Sequence, residues 1–201
     1  MINTIRRNVS YELIEKRSKF ITNAFYVKSR EEAENKINEI SKKYFDAKHN
    51  CFAYIINDGY NIIEKASDNG EPSGTAGMPI LNVIKNKKLQ NILVIVTRYF
   101  GGILLGTGGL TRAYSNSAKF CIEIADIIKQ EFGCRYGINV TYNEVKNIRY
   151  ELEKNKIQIE KMEYGENVEI IFDVPISKSD KIKDIINKSE LIESNILLNL
   201  M

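Results

Sequence analysis

Apolar residues follow two different patterns along this chain, and each pattern predicts a type of element. Over residues 29–45 they return every third or fourth position, which predicts a helix, and Ser29 with Glu32 forms a capping box at its start. Residues 91–99 contain an unbroken apolar run instead, which predicts a strand buried on both faces and therefore central in a sheet. Further strands are predicted over residues 18–27, 49–57 and 61–66.

The pattern changes after residue 134, where shorter elements follow one another closely. It predicts the order strand, helix, strand, strand, helix, strand, which is that of a ferredoxin-like unit, with Ser177 capping the second helix. The predicted segments are strands 137–142, 157–164, 168–174 and 196–200 and the first helix 143–154. We therefore predict two domains, residues 1–132 and residues 133–201.

Composition and charge are those of a folded protein with two electrostatically different parts. Of the 201 residues, 43% are hydrophobic and 27% are charged, which argues against disorder. Residues 1–130 carry 19 basic and 13 acidic side chains, whereas residues 131–201 carry 10 and 13. No apolar run approaches the roughly 18 residues that span a bilayer, and no apolar core follows the charged N-terminus. We expect a cytoplasmic protein without a membrane partner.

Cysteine and histidine are too few and too scattered for the common metal and disulfide motifs. The three cysteines have no CxxC spacing, and His49 is the single histidine. A Cys–His catalytic pair could use only His49, but Cys51 has the same strand parity and contact between the two is not required. A structural histidine is therefore favoured, and neither a metal nor a cofactor is predicted.

Backbone freedom is concentrated in two loops, because eight of the twelve glycines lie between Gly70 and Gly109. The first loop, residues 67–77, leads into a helix predicted to begin at Thr75 or Ala76. The N-terminus of that helix could bind a phosphate or carboxylate through free N–H groups. Alternatively, Asp68 and Ser73 cap their own backbone.

The second loop, residues 101–109, lies between the buried strand and a helix predicted over residues 110–128. Its glycines match neither a Walker A loop nor a dinucleotide-binding fingerprint. Arg98 and Arg112 flank the loop and could bind a phosphate or an acidic partner. One of them could equally pair with Asp68 or Glu71 across the two loops.

Four blocks of sequence carry a resemblance to a known family. EKRSKFI (15–21), DAKHNCFAY (46–54), SDNGEPSGTAGMPIL (67–81) and VTRYFGGILLGTGGLTRAY (96–114) occur in the order found in the YigZ/IMPACT family, and the ferredoxin-like tail matches its bacterial two-domain branch. The resemblance implies an α+β fold: a domain like the second domain of ribosomal protein S5, then a ferredoxin-like domain similar to the last domain of elongation factor G. It also implies a link to translation, which the eukaryotic member regulates.

The resemblance supplies no catalytic residue. The chain departs from the usual pattern at Lys48, Asn69 and Met78, and the missing charge at Met78 weakens anion binding by that loop. We expect a binding protein that regulates translation or a stress response by contacting RNA, the ribosome or a translation factor through the polar glycine-rich loops.

Two other interpretations stay open, and the oligomeric state is not predicted. The same loops could belong to a hydrolase or a phosphate- or nucleotide-binding enzyme with Glu71 or His49 as base, or they could only stabilise the fold. The candidate ligand-binding residues are Asp46, His49, Asp68, Glu71, Ser73, Thr75, Arg98, Gly101, Gly102, Gly106 and Arg112.

Overall fold

The computed structural model describes residues 1–199, which form two compact units with mixed helices and antiparallel sheets. The α+β fold class predicted from the sequence is confirmed. The first unit is Ile2–Ile128 and the second begins at Lys129. The division therefore falls four residues before the predicted boundary, and strand β7, Ile127–Val140, runs through both positions without a linker.

The first unit is built on a five-stranded antiparallel sheet with the order β2-β3-β6-β4-β5. Its strands are β2 Val9–Glu15, β3 Ser18–Tyr26, β4 His49–Asn57, β5 Ile62–Ser67 and β6 Ile92–Tyr99. The apolar run of β6 occupies the central position, as predicted. A short strand β1, Ile2–Ile5, lies beside the chain that leads into β6, where Gln90 N–H donates to the Asn3 carbonyl.

Helices cover both faces of this sheet, which explains why its central strands are apolar on both sides. Helix α1, Arg30–Lys43, packs on one face against Tyr54 and Leu93. Helices α2, Gly77–Asn86, and α3, Gly106–Glu123, pack on the other. Since alternate residues of a strand point to opposite faces, even-numbered positions of β6 lie beneath α2 and α3.

Two parts of the first unit differ from the prediction. Helix α3 begins at Gly106 and ends at Glu123 instead of spanning 110–128, so glycines assigned to the second loop form its first turn. Gly106 has a φ of +71°, a backbone conformation that favours glycine, and packing of the later turns stabilises a helix that its first residues would not favour. Residues 2–5 and 9–15 form strands that the sequence pattern had not indicated.

The second unit has the predicted ferredoxin-like order, with strands arranged β10-β7-β9-β8. Its elements are β7 Ile127–Val140, α4 Tyr142–Lys154, β8 Gln158–Tyr164, β9 Val168–Pro175, a 3₁₀ helix Ile176–Ile182, α5 Lys183–Ile186 and β10 Glu190–Asn199. Alternate residues of β7 and β9, such as Ile138 and Phe172, form its core with Leu152 of α4.

The second helix predicted for this unit, an α-helix capped by Ser177, differs from the one in the structure. Ser177 does not cap an α-helix, because its N–H and hydroxyl both donate to the carboxylate of Glu131 and the chain there is a 3₁₀ helix. The last strand begins at Glu190, well before the predicted 196, and residue 200 lies outside the described residues. The first strand is longer than predicted, since β7 begins at Ile127, and Tyr142 belongs to α4.

Among the helices formed by residues 1–199, none has the length and apolar character needed to cross a membrane.

Helix α2 offers a direct test of the packing. Ile80 on its inner face is fully buried, whereas Met78 on the same helix is exposed. We expect Ile80→Ala to lower the free energy of unfolding by about 2–5 kcal/mol, because it removes buried methyl groups and leaves a cavity. The matched control Met78→Ala should change it by less than about 0.5 kcal/mol. Guanidinium denaturation measures both, and equal midpoints for the two variants would contradict this packing.

Candidate functional site

The two glycine-rich loops and the turn between β2 and β3 meet at one end of the first sheet. Strands β3 and β4 begin at this end and β6 finishes there. In the register of the sheet, Arg98 of β6 lies between Phe20 of β3 and His49 of β4. The sequence blocks that were separated along the chain are therefore neighbours in the fold.

An ion pair between Arg98 and Glu71 lies buried at this end. Arg98 is only 6% exposed, and its Nη1 donates to Glu71 Oε1 over 2.6 Å. The Tyr114 hydroxyl of α3 donates to the same oxygen over 2.9 Å, and His49 Nε2 lies 4.0 Å from it. Of the alternatives left open by the sequence, the structure pairs Arg98 with Glu71, so its guanidinium is committed to an internal carboxylate.

The guanidinium of Arg98 also lies between two aromatic rings. Its central carbon is 5.6 Å from the ring centroids of both Phe20 and Phe100. Nη2 reaches the Ser18 hydroxyl at 3.5 Å, and that hydroxyl accepts the N–H of Gly101 over 3.2 Å. A Cβ on Gly101 would overlap the backbone of Arg17, so only glycine allows the second loop to lie against this turn.

Asp68 caps helix α2 from within the first loop. Its carboxylate accepts N–H groups from Gly74, Ala76 and Gly77 over 2.8–2.9 Å. Burial alone raises the pKa of the Asp68 carboxyl, but these three donors outweigh burial and the net pKa is lowered. The capping alternative is supported for Asp68, because those N–H groups are already bonded and are not free for an external phosphate.

His49 and Cys51 both bond to backbone carbonyls of the first loop. His49 Nδ1 lies 2.9 Å from the carbonyl of Asn69, in keeping with a structural histidine. The Cys51 thiol donates to the carbonyl of Asp68, and burial raises its pKa to about 12. The thiol is therefore protonated at neutral pH and is a poor nucleophile.

The candidate ligand-binding residues divide into an inner and an outer group, and their role in binding stays a prediction. The buried members are His49, Glu71, Thr75 and Arg98, and the partly exposed ones are Asp68 and Gly101. The exposed members are Asp46, Ser73, Gly102, Gly106 and Arg112. The inner residues are buried and bond within the protein, Arg98 to Glu71 and His49 and Thr75 to loop carbonyls, so a ligand-binding surface is expected to draw on the outer group.

The outside of this end carries aromatic and basic side chains that the sequence analysis had not selected. We call this surface the basic-aromatic end and define it by Lys16, Arg17, Phe45, Lys48 and Phe100, all of them exposed. Phe45 and Phe100 are 85% and 56% exposed. Lys16 and Arg17 could have been selected from the sequence, because they lie inside the first block that carries the family resemblance, residues 15–21. Phe100 could have been found as the residue directly after the buried strand.

One acidic residue of this end is internally bonded. Asp46 accepts the Tyr99 hydroxyl over 2.7 Å, and this bond raises the pKa of Tyr99 to about 12. The loop that carries Phe45 and Lys48 is thereby tied to the end of β6. Within residues 1–199, no group of three or more histidine, cysteine, aspartate or glutamate side chains could hold a metal ion.

Comparison with known proteins gives consistent matches over both units. Residues 16–122 match the family model of the Impact N-terminal domain, and residues 138–189 match a domain of unknown function, DUF1949. The IMPACT family member YvyE of Bacillus subtilis is 37% identical over 166 residues, 83% of this chain and 76% of that protein. An IMPACT family member of Haemophilus influenzae is 30% identical over 167 residues, 83% and 81% of the two chains.

A solved structure is also similar. The crystal structure of a hypothetical protein superposes with a TM-score of 0.66 at 27% sequence identity, and the match covers 97% of each chain.

The ion pair predicts a large effect of neutralising one partner. Glu71→Gln should lower the free energy of unfolding by about 3–5 kcal/mol, because it leaves the Arg98 charge buried without a counter-ion. The matched control is Glu12→Gln, which breaks the exposed pair with Lys19 and should cost less than about 1 kcal/mol. Urea denaturation measures both.

A second variant separates the effect of leaving the Arg98 charge unpaired from the effect of losing the Glu71 carboxylate. Glu71→Gln with Arg98→Met removes both charges and should recover part of the stability that Glu71→Gln loses. A Glu71→Gln variant as stable as the wild type would show that the pair is unimportant to the fold.

The cap of helix α2 predicts a pH dependence. Since the pKa of Asp68 is lower in the folded than in the unfolded chain, its charge stabilises the fold fully above the unfolded value of 3.8. That stabilisation is lost as pH falls through the folded pKa. At pH 7 we expect Asp68→Asn to destabilise the protein by about 0.5–2 kcal/mol, as loss of a cap does. Melting temperatures against pH measure this, and a difference from wild type that does not shrink in acid would contradict the prediction.

Proposed function

This chain belongs to the IMPACT family, and we propose that it is a cytoplasmic binding protein that regulates translation by contacting RNA at its basic-aromatic end. A role in translation is what the resemblance of the four sequence blocks implies. The contact with RNA is argued from the charges and rings exposed at this end. Ribosomal RNA is included in the proposal.

The observation that carries the proposal is the pairing of unneutralised cations with exposed aromatic rings. Lys16, Arg17 and Lys48 are exposed and form no ion pair within residues 1–199. Phosphates of a nucleic acid attract such cations, and exposed rings of the kind that Phe45 and Phe100 present stack against bases. Both features of a nucleic-acid surface thus occur at one end of the sheet.

The inner residues support this surface without touching the ligand. Arg98 is bound to Glu71 and is not available to a phosphate. Its guanidinium instead contacts the ring of Phe100, while the bond between Ser18 and Gly101 holds the adjacent turn against the loop. The RNA contact therefore depends on exposed cations, among them Arg112 in the second turn of α3.

A hydrolase that uses the same loops is not supported by this geometry. A general base needs a free lone pair aimed at a substrate, but the Glu71 oxygen that Arg98 and Tyr114 contact lies inside the protein. Cys51 is held as a thiol.

The charges at this end predict salt-dependent binding. We expect Lys16→Gln with Arg17→Gln to weaken binding of a labelled RNA oligonucleotide and to reduce the slope of log affinity against log salt by about 2, one for each phosphate that is no longer neutralised. Fluorescence anisotropy over a series of salt concentrations measures the slope. Co-sedimentation with ribosomes from lysate at low and high salt tests the link to translation.

The control removes two exposed lysines from the opposite end of the same sheet. Lys28→Gln with Lys88→Gln lowers the net charge equally, and Lys88 shares with Lys16 and Arg17 a positive φ. This variant should bind nearly as the wild type does. Equal weakening in both double variants would show that only net charge matters, and absence of RNA binding by the wild type would overturn the proposed function.

A further inference from the structure

We infer that the RNA recognised here is single-stranded and that an unpaired base stacks on Phe100, an inference that rests on the RNA binding proposed above. The guanidinium carbon of Arg98 lies 5.6 Å from the ring centroid of Phe20 and 5.6 Å from that of Phe100. Phe100 itself is 56% exposed, so a ligand can reach its ring.

The two residues on the inner side of Phe100 are anchored in the core. Phe20 is fully buried and meets Tyr114 edge-on, with ring centroids 5.2 Å apart and planes at 88°. Arg98, which contacts both phenylalanine rings, is held in place by Glu71 and Ser18. The ring of Phe100 is therefore positioned before any ligand arrives, which reduces the conformational entropy lost on binding.

The surroundings of Phe100 leave room for a strand of nucleic acid. The next two residues are glycines, and no atom lies within 4 Å of the position that a Cβ on Gly102 would occupy. The turn that carries Lys16 and Arg17 lies directly against Gly101. Phosphates adjoining a base on Phe100 would therefore meet two cations that form no ion pair with any described residue.

The exposed ring favours an unpaired base over a duplex. In an RNA duplex the faces of the bases are covered by their neighbours, and the narrow major groove excludes side chains. A protein ring can reach a base face only where the base is unstacked, in a loop, a bulge or a single strand. A partner protein could also cover Phe100, and the experiment below distinguishes that occupant.

The experiment compares a labelled, unstructured oligouridine with an RNA duplex of equal length by fluorescence anisotropy. The wild type should bind the single strand more tightly. Phe100→Leu should weaken single-strand binding at least about fivefold, because it removes the stacking face but keeps an apolar side chain, and should leave duplex binding unchanged. The control Leu104→Ala, in the same loop and 84% exposed, should bind as the wild type does.

A fluorescence readout reports stacking itself. The chain contains no tryptophan, so Phe100→Trp introduces a single indole that can be excited selectively over the eleven tyrosines. We expect this variant to retain single-strand affinity and its emission to be quenched when oligouridine binds, whereas Leu104→Trp should be quenched much less.

The binding measurements distinguish failure of this inference from failure of the proposed function. A wild type that binds neither RNA overturns the proposed function and this inference with it. RNA binding that Phe100→Leu leaves unchanged, or that is equally tight for the duplex, overturns the inference alone. Equal weakening of single-strand binding by Phe100→Leu and Leu104→Ala also overturns the inference. Such a result would indicate a general apolar contact, of the kind that a partner protein makes, and not base stacking.

Discussion

The buried pair between Glu71 and Arg98 is the interaction on which the loop end of the first unit depends. Residue 71 belongs to a loop and residue 98 to the central strand, and a single carboxylate oxygen accepts from Arg98 and from Tyr114 of α3. A charge buried at this depth must be paired, because removing it from water without a partner is very unfavourable. The pair consequently fixes the first loop, the sheet and α3 in one arrangement.

That arrangement separates polar residues that build the fold from polar residues that can meet a ligand. Asp68 satisfies the N-terminus of α2 and His49 bonds to the backbone of Asn69, so both act inward. Within residues 1–199 the cations Lys16 and Arg17 form no ion pair, and both are exposed on the turn that lies against Gly101.

Local pattern predicted most elements of both units, because helix and strand periods depend on neighbouring residues. The helix at Arg30–Lys43, the central strand at Ile92–Tyr99 and the ferredoxin-like order were all recognisable in this way. The pattern failed where distant packing overrides propensity: the glycine-rich start of α3, the long strand Ile127–Val140 and the 3₁₀ helix held by Glu131. Each of these is stabilised by residues far along the chain, which a local window does not include.

The sequence by itself determined the family, the α+β class and the segments from which the candidate site is built. The alternation of side chains along β6 also indicates that Arg98 is buried, because it lies on the same face of the strand as Val94 and Val96. Which carboxylate meets that arginine, and therefore which cations remain free at the surface, was decided only by the tertiary structure. Glu71 and Arg98 are 27 positions apart and Ser18 and Arg98 are 80 apart. The register of β3 on β6 brings Ser18 close to Arg98, and the folding of the first loop over this end of the sheet brings Glu71 there.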